Sequence, residues 1–269
     1  MRSLYGDKTD NLLLNLKENL KQFMMTYPKP IYLRQTVSTN VSLAELCKQS
    51  KVKNLTSVYT SFQSDGRGQR GNKWESEDGA NLLFSVVIYP NELHARQFFI
   101  ILQITALAIY EVLSEYADCV SIKWPNDIYW KDKKLCGTLI ENDLNGTFIE
   151  KSISGSGINL NQTVFLSDAP NPVSLKQITG SDYNPETILH EILAKTEIYV
   201  EKLVNGQTDI IKDKYMNALY RKDGMYKYRD KDGEFMARII NIEDDGKFIL
   251  EDEKGQTRQY LFKEVEYII

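Results

Sequence analysis

Apolar residues recur along this chain at two different spacings, and the change of spacing outlines its organisation. Leu13, Leu16, Leu20, Phe23 and Met24 fall three or four residues apart behind Thr9 and Asp10, which predicts a capped helix over about 10–25. Tyr27-Pro28-Lys29-Pro30 ends it, because proline has no amide proton to give a helix. A short strand is expected at 31–36. A helix over about 40–51 follows, with Ser38-Thr39-Asn40 at its start, and then a strand at 55–62. Residues 64–80 carry Gly66, Gly68, Gly71 and Gly79 and read as a long loop. The run 81–89 is almost wholly apolar, as in a strand buried on both faces, and 92–117 reads as a core helix apolar nearly all round. Strands are predicted at 120–124, 127–131, 134–142 and 147–158, with turns at Asp132-Lys133 and Asn145-Gly146, and helices at 186–204 and 208–222.

The spacing changes after Arg221. Short alternating segments then recur every 8–12 residues, with turns at Asp232-Gly233, Asp245-Gly246 and Lys254-Gly255, a pattern that suits a small antiparallel barrel. The expected organisation is an N-terminal helical extension at 1–30, a main domain at 31–220 and a small C-terminal β-barrel at 221–269.

Charge and cysteine content narrow the function classes. Lys plus Arg number 33 against 37 Asp plus Glu, for a net charge of −4. No excess of positive charge is present to hold nucleic acid or an anionic membrane without specificity. Cys47, Cys119 and Cys136 are too scattered for a disulfide framework or a zinc site, and His94 and His190 lie in no metal-binding motif. The N-terminus has no signal-peptide core, and the apolar stretch Phe98–Leu113 falls short of the roughly 20 residues that cross a bilayer. A cytoplasmic protein that binds neither DNA nor membrane is expected.

Three segments carry candidate chemistry. Gln63-Ser64-Asp65-Gly66-Arg67-Gly68-Gln69-Arg70-Gly71-Asn72-Lys73-Trp74 combines glycines, which let a backbone approach a ligand closely, with two arginine forks suited to carboxylate or phosphate. It lacks the Walker ending and leads into a strand, so it is neither a P-loop nor a dinucleotide fingerprint. Lys123-Trp124-Pro125-Asn126-Asp127 joins two strands, and Lys134 opens the next, where its stem can lie along a cleft wall. Ser154-Gly155-Ser156-Gly157-Ile158-Asn159 places two glycines inside a strand, which weakens it unless something must come close to the backbone. A ligand lying flat over Gly155 and Gly157, with Asn159 reading its polar edge, is the functional reading. A solvated basic hairpin, a surface lysine and a simple bulge are the plainer ones.

Taken together and in this order, Ser38-Thr39-Asn40, Gly66-Arg67-Gly68-Gln69-Arg70-Gly71-Asn72-Lys73-Trp74, Asn81-Leu82-Leu83-Phe84-Ser85, Lys123-Trp124-Pro125-Asn126-Asp127, Lys134 with Gly137, and Gly155-Ser156-Gly157-Ile158-Asn159 resemble the biotin–protein ligases (biotin–[acetyl-CoA-carboxylase] ligases) over residues 31–175. The resemblance implies an α+β fold of the class II synthetase-like kind, a mixed β-sheet flanked by helices, with the small barrel attached. It implies ATP-dependent formation of biotinyl-5′-adenylate with Mg²⁺, then transfer of biotin to a lysine of a biotin carboxyl carrier protein or domain. It assigns the biotin ureido ring to Ser38, Thr39 and Gln63 and to the backbone at Gly66 and Arg67. The biotin tail goes to Lys134 over Gly155 and Gly157, and the nucleotide to Trp124, Asn126 and Asn159. Asn40, Gly68, Gln69, Arg70 and Trp74 complete the ligand-binding set. Lys134 and Arg67 would offset charge during adenylation, and Asp127 would orient Lys134 or the incoming lysine.

Two departures from the family pattern stand out. Gln69 occupies a position where arginine is usual, and Lys263-Glu264-Val265-Glu266-Tyr267-Ile268 lacks the arginine many members carry there. The 37 residues before Ser38 are too few for the winged helix of the repressor forms. A lipoate ligase shares the fold but is disfavoured by the Lys123–Asp127 motif. Strand edges such as 147–153 are candidates for pairing across a homodimer.

Overall fold

The computed structural model describes residues 26–68, 73–166 and 170–269. The expected helix over 10–25 lies outside the described residues, as do Gln69, Arg70, Gly71 and Asn72. The chain runs β1 (Ile31–Thr36), α1 (Thr39–Gln49), β2 (Ser57–Gln63), β3 (Leu82–Ile88), α2 (Phe99–Tyr116), β4 (Val120–Lys123), β5 (Asp127–Trp130), β6 (Lys133–Asn145) and β7 (Phe148–Ile158). Helices α3 (Leu175–Thr179), α4 (Pro185–Val204) and α5 (Thr208–Asn217) follow. The strands form a seven-stranded sheet in the order β1-β2-β3-β7-β6-β5-β4, in which only β1 and β2 run parallel.

Side chains alternate across a strand, so each strand serves both faces of the sheet. On β3 and β7, Leu82, Phe84, Val86, Ile88 and Ile158 join the large core built with α2 and α4. Val87 and Ile153 turn the other way and pack on Leu43 of α1. All seven residues of β3 are buried, as the apolar run requires. By length and composition the helical stretch Ala95–Tyr116 could cross a membrane, and it exceeds the apolar run read from the sequence. Yet 72% of that window is buried inside the fold, which makes it a core helix.

Two helices differ from their expected bounds. Asn91 and Glu92 have left-handed φ values of 41° and 53°, so α2 cannot start at 92; a short 3₁₀ turn at Ala95–Gln97 precedes it. Helix α5 ends at Asn217 rather than 222. Residues 218–220 leave it to bond β4, with Ile122 N donating to Ala218 O and Tyr220 N to Ile122 O, each at 2.8 Å.

The chain then enters a second, wholly antiparallel sheet: β8 (Tyr226–Asp230), β9 (Gly233–Ile242), β10 (Phe248–Asp252), β11 (Thr257–Tyr260) and β12 (Glu266–Tyr267), ordered β11-β10-β9-β8-β12. No ladder joins β11 to β12 among the described residues, so this is an open sheet and not the closed barrel the strand spacing suggested. At two residues, β12 is too short to carry the second, staggered ladder that closure needs.

Candidate active site

The site begins with glycines on one face of the first sheet. Gly157 pairs with Gly137 on β6 and Leu83 on β3; Gly155 pairs with Leu139 and Ser85. All share the α1 face. None of the three glycines has a positive φ, so it is space and not backbone conformation that calls for glycine here. A Cβ on Gly155 would lie 2.0 Å from Asn40 Oδ1, and one on Gly157 would lie 2.4 Å from the Trp74 indole. At Gly137 a Cβ would meet Trp74 Cζ3 at 2.8 Å and Lys134 Nζ at 3.2 Å. A flat glycine floor thus runs from Asn40 at one end to Lys134 at the other, with Trp74 lying across it.

The polar end is built by the start of α1. Ser38, Thr39 and Asn40 are all buried. Ser38 is the N-cap residue but its side chain makes no capping bond, so the expected cap is not what holds it. Thr39 donates to Gln63 Oε1 from its backbone amide (2.8 Å) and its hydroxyl (3.1 Å). Ser85 Oγ lies 2.7 Å from Thr39 Oγ1 and 2.6 Å from Asn40 Oδ1. The Asn40 amide nitrogen donates to Glu141 Oε2 at 2.7 Å. Ser85 and Glu141 were not among the residues singled out for the site. Strand parity could have found them, since 137, 139 and 141 alternate onto the glycine face, as 155 and 157 do.

The cationic end is Lys134. Its ammonium donates to Asp127 Oδ2 at 2.7 Å, and each side chain is 27% exposed. Its backbone is held from the far side by residues 171–173, with Lys134 N donating to Asn171 O and Val173 N to Lys134 O. Lys123 faces Asp127 across the β4–β5 hairpin. It donates to the Tyr129 hydroxyl at 3.1 Å and lies over the rings of Tyr129 and Tyr267. Burial pushes the Lys123 ammonium below its ordinary range, against the pull of the Asp127 carboxylate.

The glycine-rich loop supplies the cover. Trp74 N donates to Gly66 O at 2.9 Å, and a Cβ on Gly66 would lie 2.7 Å from Trp74 O, so glycine is required at 66. Gly68 is half-buried beside it. Arg67 does not reach the floor in this arrangement; its side chain is 53% exposed, with Nε 3.6 Å from Asp65. Gln69 and Arg70 lie outside the described residues. The Trp74 Nε1 is buried without a hydrogen-bond partner, an uncommon state for a native donor.

Three expected nucleotide residues sit in the supporting structure. Trp124 is 6% exposed, donates from Nε1 to Gly246 O at 3.1 Å and stacks on Phe248 at 4.8 Å. Its indole therefore joins the two sheets and does not line the floor. Asn126 is buried and donates to Thr138 O at 3.4 Å. Asn159 donates to Val173 O at 3.2 Å and so fixes the segment behind Lys134. Surface cavities of about 590 and 760 Å³ lie elsewhere, around Asn91 and Glu92. The floor itself is filled by Trp74.

Comparison with known proteins bears on the fold and the family. The family model described as the Biotin/lipoate A/B protein ligase family matches residues 32–159. The chain is 28% identical over 212 residues to the bifunctional ligase/repressor BirA of Bacillus subtilis, an alignment covering 76% of this chain and 64%, just under two thirds, of that relative. It is 31% identical over 166 residues to the biotin–[acetyl-CoA-carboxylase] ligase of Paracoccus denitrificans, covering 58% of this chain and 67% of that protein. Among solved structures it is similar to the biotin protein ligase from Aquifex aeolicus in complex with biotin and ATP, with TM-score 0.72 and 26% identity, over 90% of this chain and 100% of that one. With two thirds of the Paracoccus protein matched at that identity, on a shared fold, the chain belongs to the biotin/lipoate A/B protein ligase family.

Proposed function

We propose that the chain is an ATP-dependent biotin–protein ligase. It makes biotinyl-5′-adenylate and passes the biotinyl group to one lysine of a biotin carboxyl carrier domain. The observation that carries this reading is the glycine floor, which has hydroxyl and amide groups at one end and a single ammonium, Lys134, at the other. A neutral, flat head group with a carboxylate tail fits that polarity. The names of the Paracoccus relative and the Aquifex structure support the choice of biotin and ATP.

In the first step a biotin carboxylate oxygen attacks the α-phosphorus of ATP, the bond to the bridging oxygen of the β-phosphate breaks, and pyrophosphate leaves. Two anions must meet, and a preorganised cation beside them is worth several kcal/mol. Lys134 holds that place, with Asp127 fixing the ammonium. Among the described residues no group of three His, Cys, Asp or Glu side chains could hold a metal ion. Magnesium, brought in as MgATP, would offset charge on the phosphates. In the second step the neutral carrier amine attacks the acyl carbon, AMP leaves with the bonding pair, and the proton lost from the nitrogen passes to solvent water. Trp74 shifts when ligand occupies the floor and then shields the hydrolysable anhydride from water.

Incubation of the protein with a carrier domain, biotin and MgATP, followed by mass spectrometry, tests the reading. One biotinyl addition per carrier is expected. An addition from lipoate in place of biotin keeps the family and changes the substrate, and no addition from either refutes the proposal.

A further inference from the structure

Glu75 follows Trp74 in sequence, and its carboxylate leaves its own loop. Both oxygens accept from the backbone amide of Leu166, at 2.9 and 3.1 Å, and one also accepts from Gln162 Nε2 at 3.2 Å. Gln162 is buried and works as a hub. Its Oε1 accepts from Asn81 Nδ2 at 2.6 Å and from Glu77 N at 3.0 Å, while its Nε2 also donates to Val164 O at 2.8 Å. Asn81 in turn accepts from Leu160 N at 3.0 Å. One residue earlier, Asn159 bonds to the backbone at Leu135 and Val173, the two neighbours of Lys134 in the fold. Hydrogen bonds, joined at one point by the peptide link between Asn159 and Leu160, therefore connect the residue beside Trp74 to the residues flanking Lys134.

Besides Glu75, the segment is held by Gln177, whose Nε2 donates to Thr163 O at 2.9 Å, and by the buried Gln162. Val164 and Leu166 are exposed apolar side chains that bury almost nothing. Hydrogen bonds through Glu75 and Gln162 tie 162–166 to 75–81. A carboxylate accepting backbone amides makes bonds about twice as strong as neutral ones, so the one ionised acceptor at this junction dominates it.

We propose that Glu75 is a positioning residue for the reaction, the clip that holds Trp74 over the glycine floor by fastening its loop to residues 162–166. This rests on the ligase reading for its consequence but not for its structural part. Glu75 does not touch the floor, so removing it leaves the chemistry of adenylation in place and weakens the cover that retains the activated intermediate.

Two measurements test it. In the ligand-free protein, Glu75→Ala is expected to raise amide hydrogen exchange in 73–81 and in 162–166 together, with Glu75→Gln, which keeps an acceptor, lying between it and wild type. The control Glu77→Gln, an exposed side chain that takes part in the network only through its backbone, leaves both segments unchanged. In turnover, Glu75→Ala is expected to release biotinyl-adenylate without carrier about 10-fold faster, the loss of one charge-assisted bond. Its single-turnover rate of adenylate formation stays within about threefold of wild type, as it does for a group off the reaction centre. Unchanged exchange in 162–166 with unchanged leakage, for Glu75→Gln as well as Glu75→Ala, overturns the proposal. A wild-type protein that forms no adenylate refutes the ligase reading instead, and the exchange measurement still decides on the clip.

Discussion

Trp74 and Trp124 come from adjacent candidate motifs, and the fold uses them in opposite ways. Trp124 is buried between the two sheets, its ring stacked on Phe248 and its Nε1 bonded to Gly246 O. Trp74 lies on the glycines of the floor with the Lys134 ammonium 6.0 Å from its ring centre, and its Nε1 has no hydrogen-bond partner. A satisfied donor in tight aromatic packing is what a structural residue looks like. An unsatisfied donor over a surface cleared of Cβ atoms is what a displaceable one looks like. The family pattern names both as ligand-binding residues; in the structure one is bonded and stacked between the two sheets and the other lies over the glycine floor.

The contrast can be broken most directly by truncating each ring. Trp124→Ala is expected to destabilise the protein by about 3–5 kcal/mol in chemical denaturation, the usual cost of removing a buried tryptophan. Trp74→Ala is expected to cost roughly 1 kcal/mol, the centre of ordinary substitutions. Equal losses would show that Trp74 is a core residue after all.

Next in size is Lys134→Ala, which should slow adenylate formation by at least ~10²-fold in a pyrophosphate-release assay while leaving the melting behaviour near wild type. Normal pyrophosphate release would remove Lys134 from the mechanism. Gly155→Ala sharpens the comparison from the floor side. Its methyl would collide with Asn40 Oδ1, which Glu141 holds in place, so a loss of about 1–3 kcal/mol in stability is expected, as in overpacked cores, together with weakened biotin binding in a calorimeter. Tight biotin binding in that variant would mean that Asn40 yields freely and the floor is not rigid.

The smallest effect belongs to the second sheet and to pH. Burial pushes the Asp230 carboxyl up, but the Tyr260 hydroxyl, the Asp232 amide and Arg258 more than reverse this and leave it below its ordinary value. The Gln256 amide, with Arg258 and the Lys254 amide, lowers Asp252 as well. A lowered carboxylate contributes stability that is present above its unfolded pKa and is lost as pH falls through the folded one. Arg258→Gln is therefore expected to move the acid unfolding midpoint, followed by tyrosine fluorescence, to higher pH. A midpoint that does not move would show that the Tyr260 hydroxyl and the backbone amides hold the two carboxylates without Arg258.

Much of this was legible in the residue pattern because it depends on local rules. Strand alternation, the Asn145-Gly146 turn and the apolar run at Leu82–Ile88 follow from side-chain period and turn chemistry, and the structure reproduces them. Unusual glycines inside strands pointed to Gly155 and Gly157 before any neighbour was known. Where expectation and structure part, a distant partner intervened. Helix α5 stops early because β4 offers its residues hydrogen bonds from nearly a hundred positions away. The second sheet stays open because its last strand is only two residues long.

The motifs along the chain carried the resemblance to the family, and the placing of glycines inside strands pointed to Gly155 and Gly157, since a strand's period of two is written in the sequence itself. Which face of the sheet meets which loop is another matter. Asn40 meeting Glu141, Trp124 stacking on Phe248, and Glu75 reaching Leu166 all join residues about ninety or more positions apart. Such pairs depend on how two sheets and two loops pack in three dimensions, and a hydrogen bond between distant residues leaves no periodic trace along the chain.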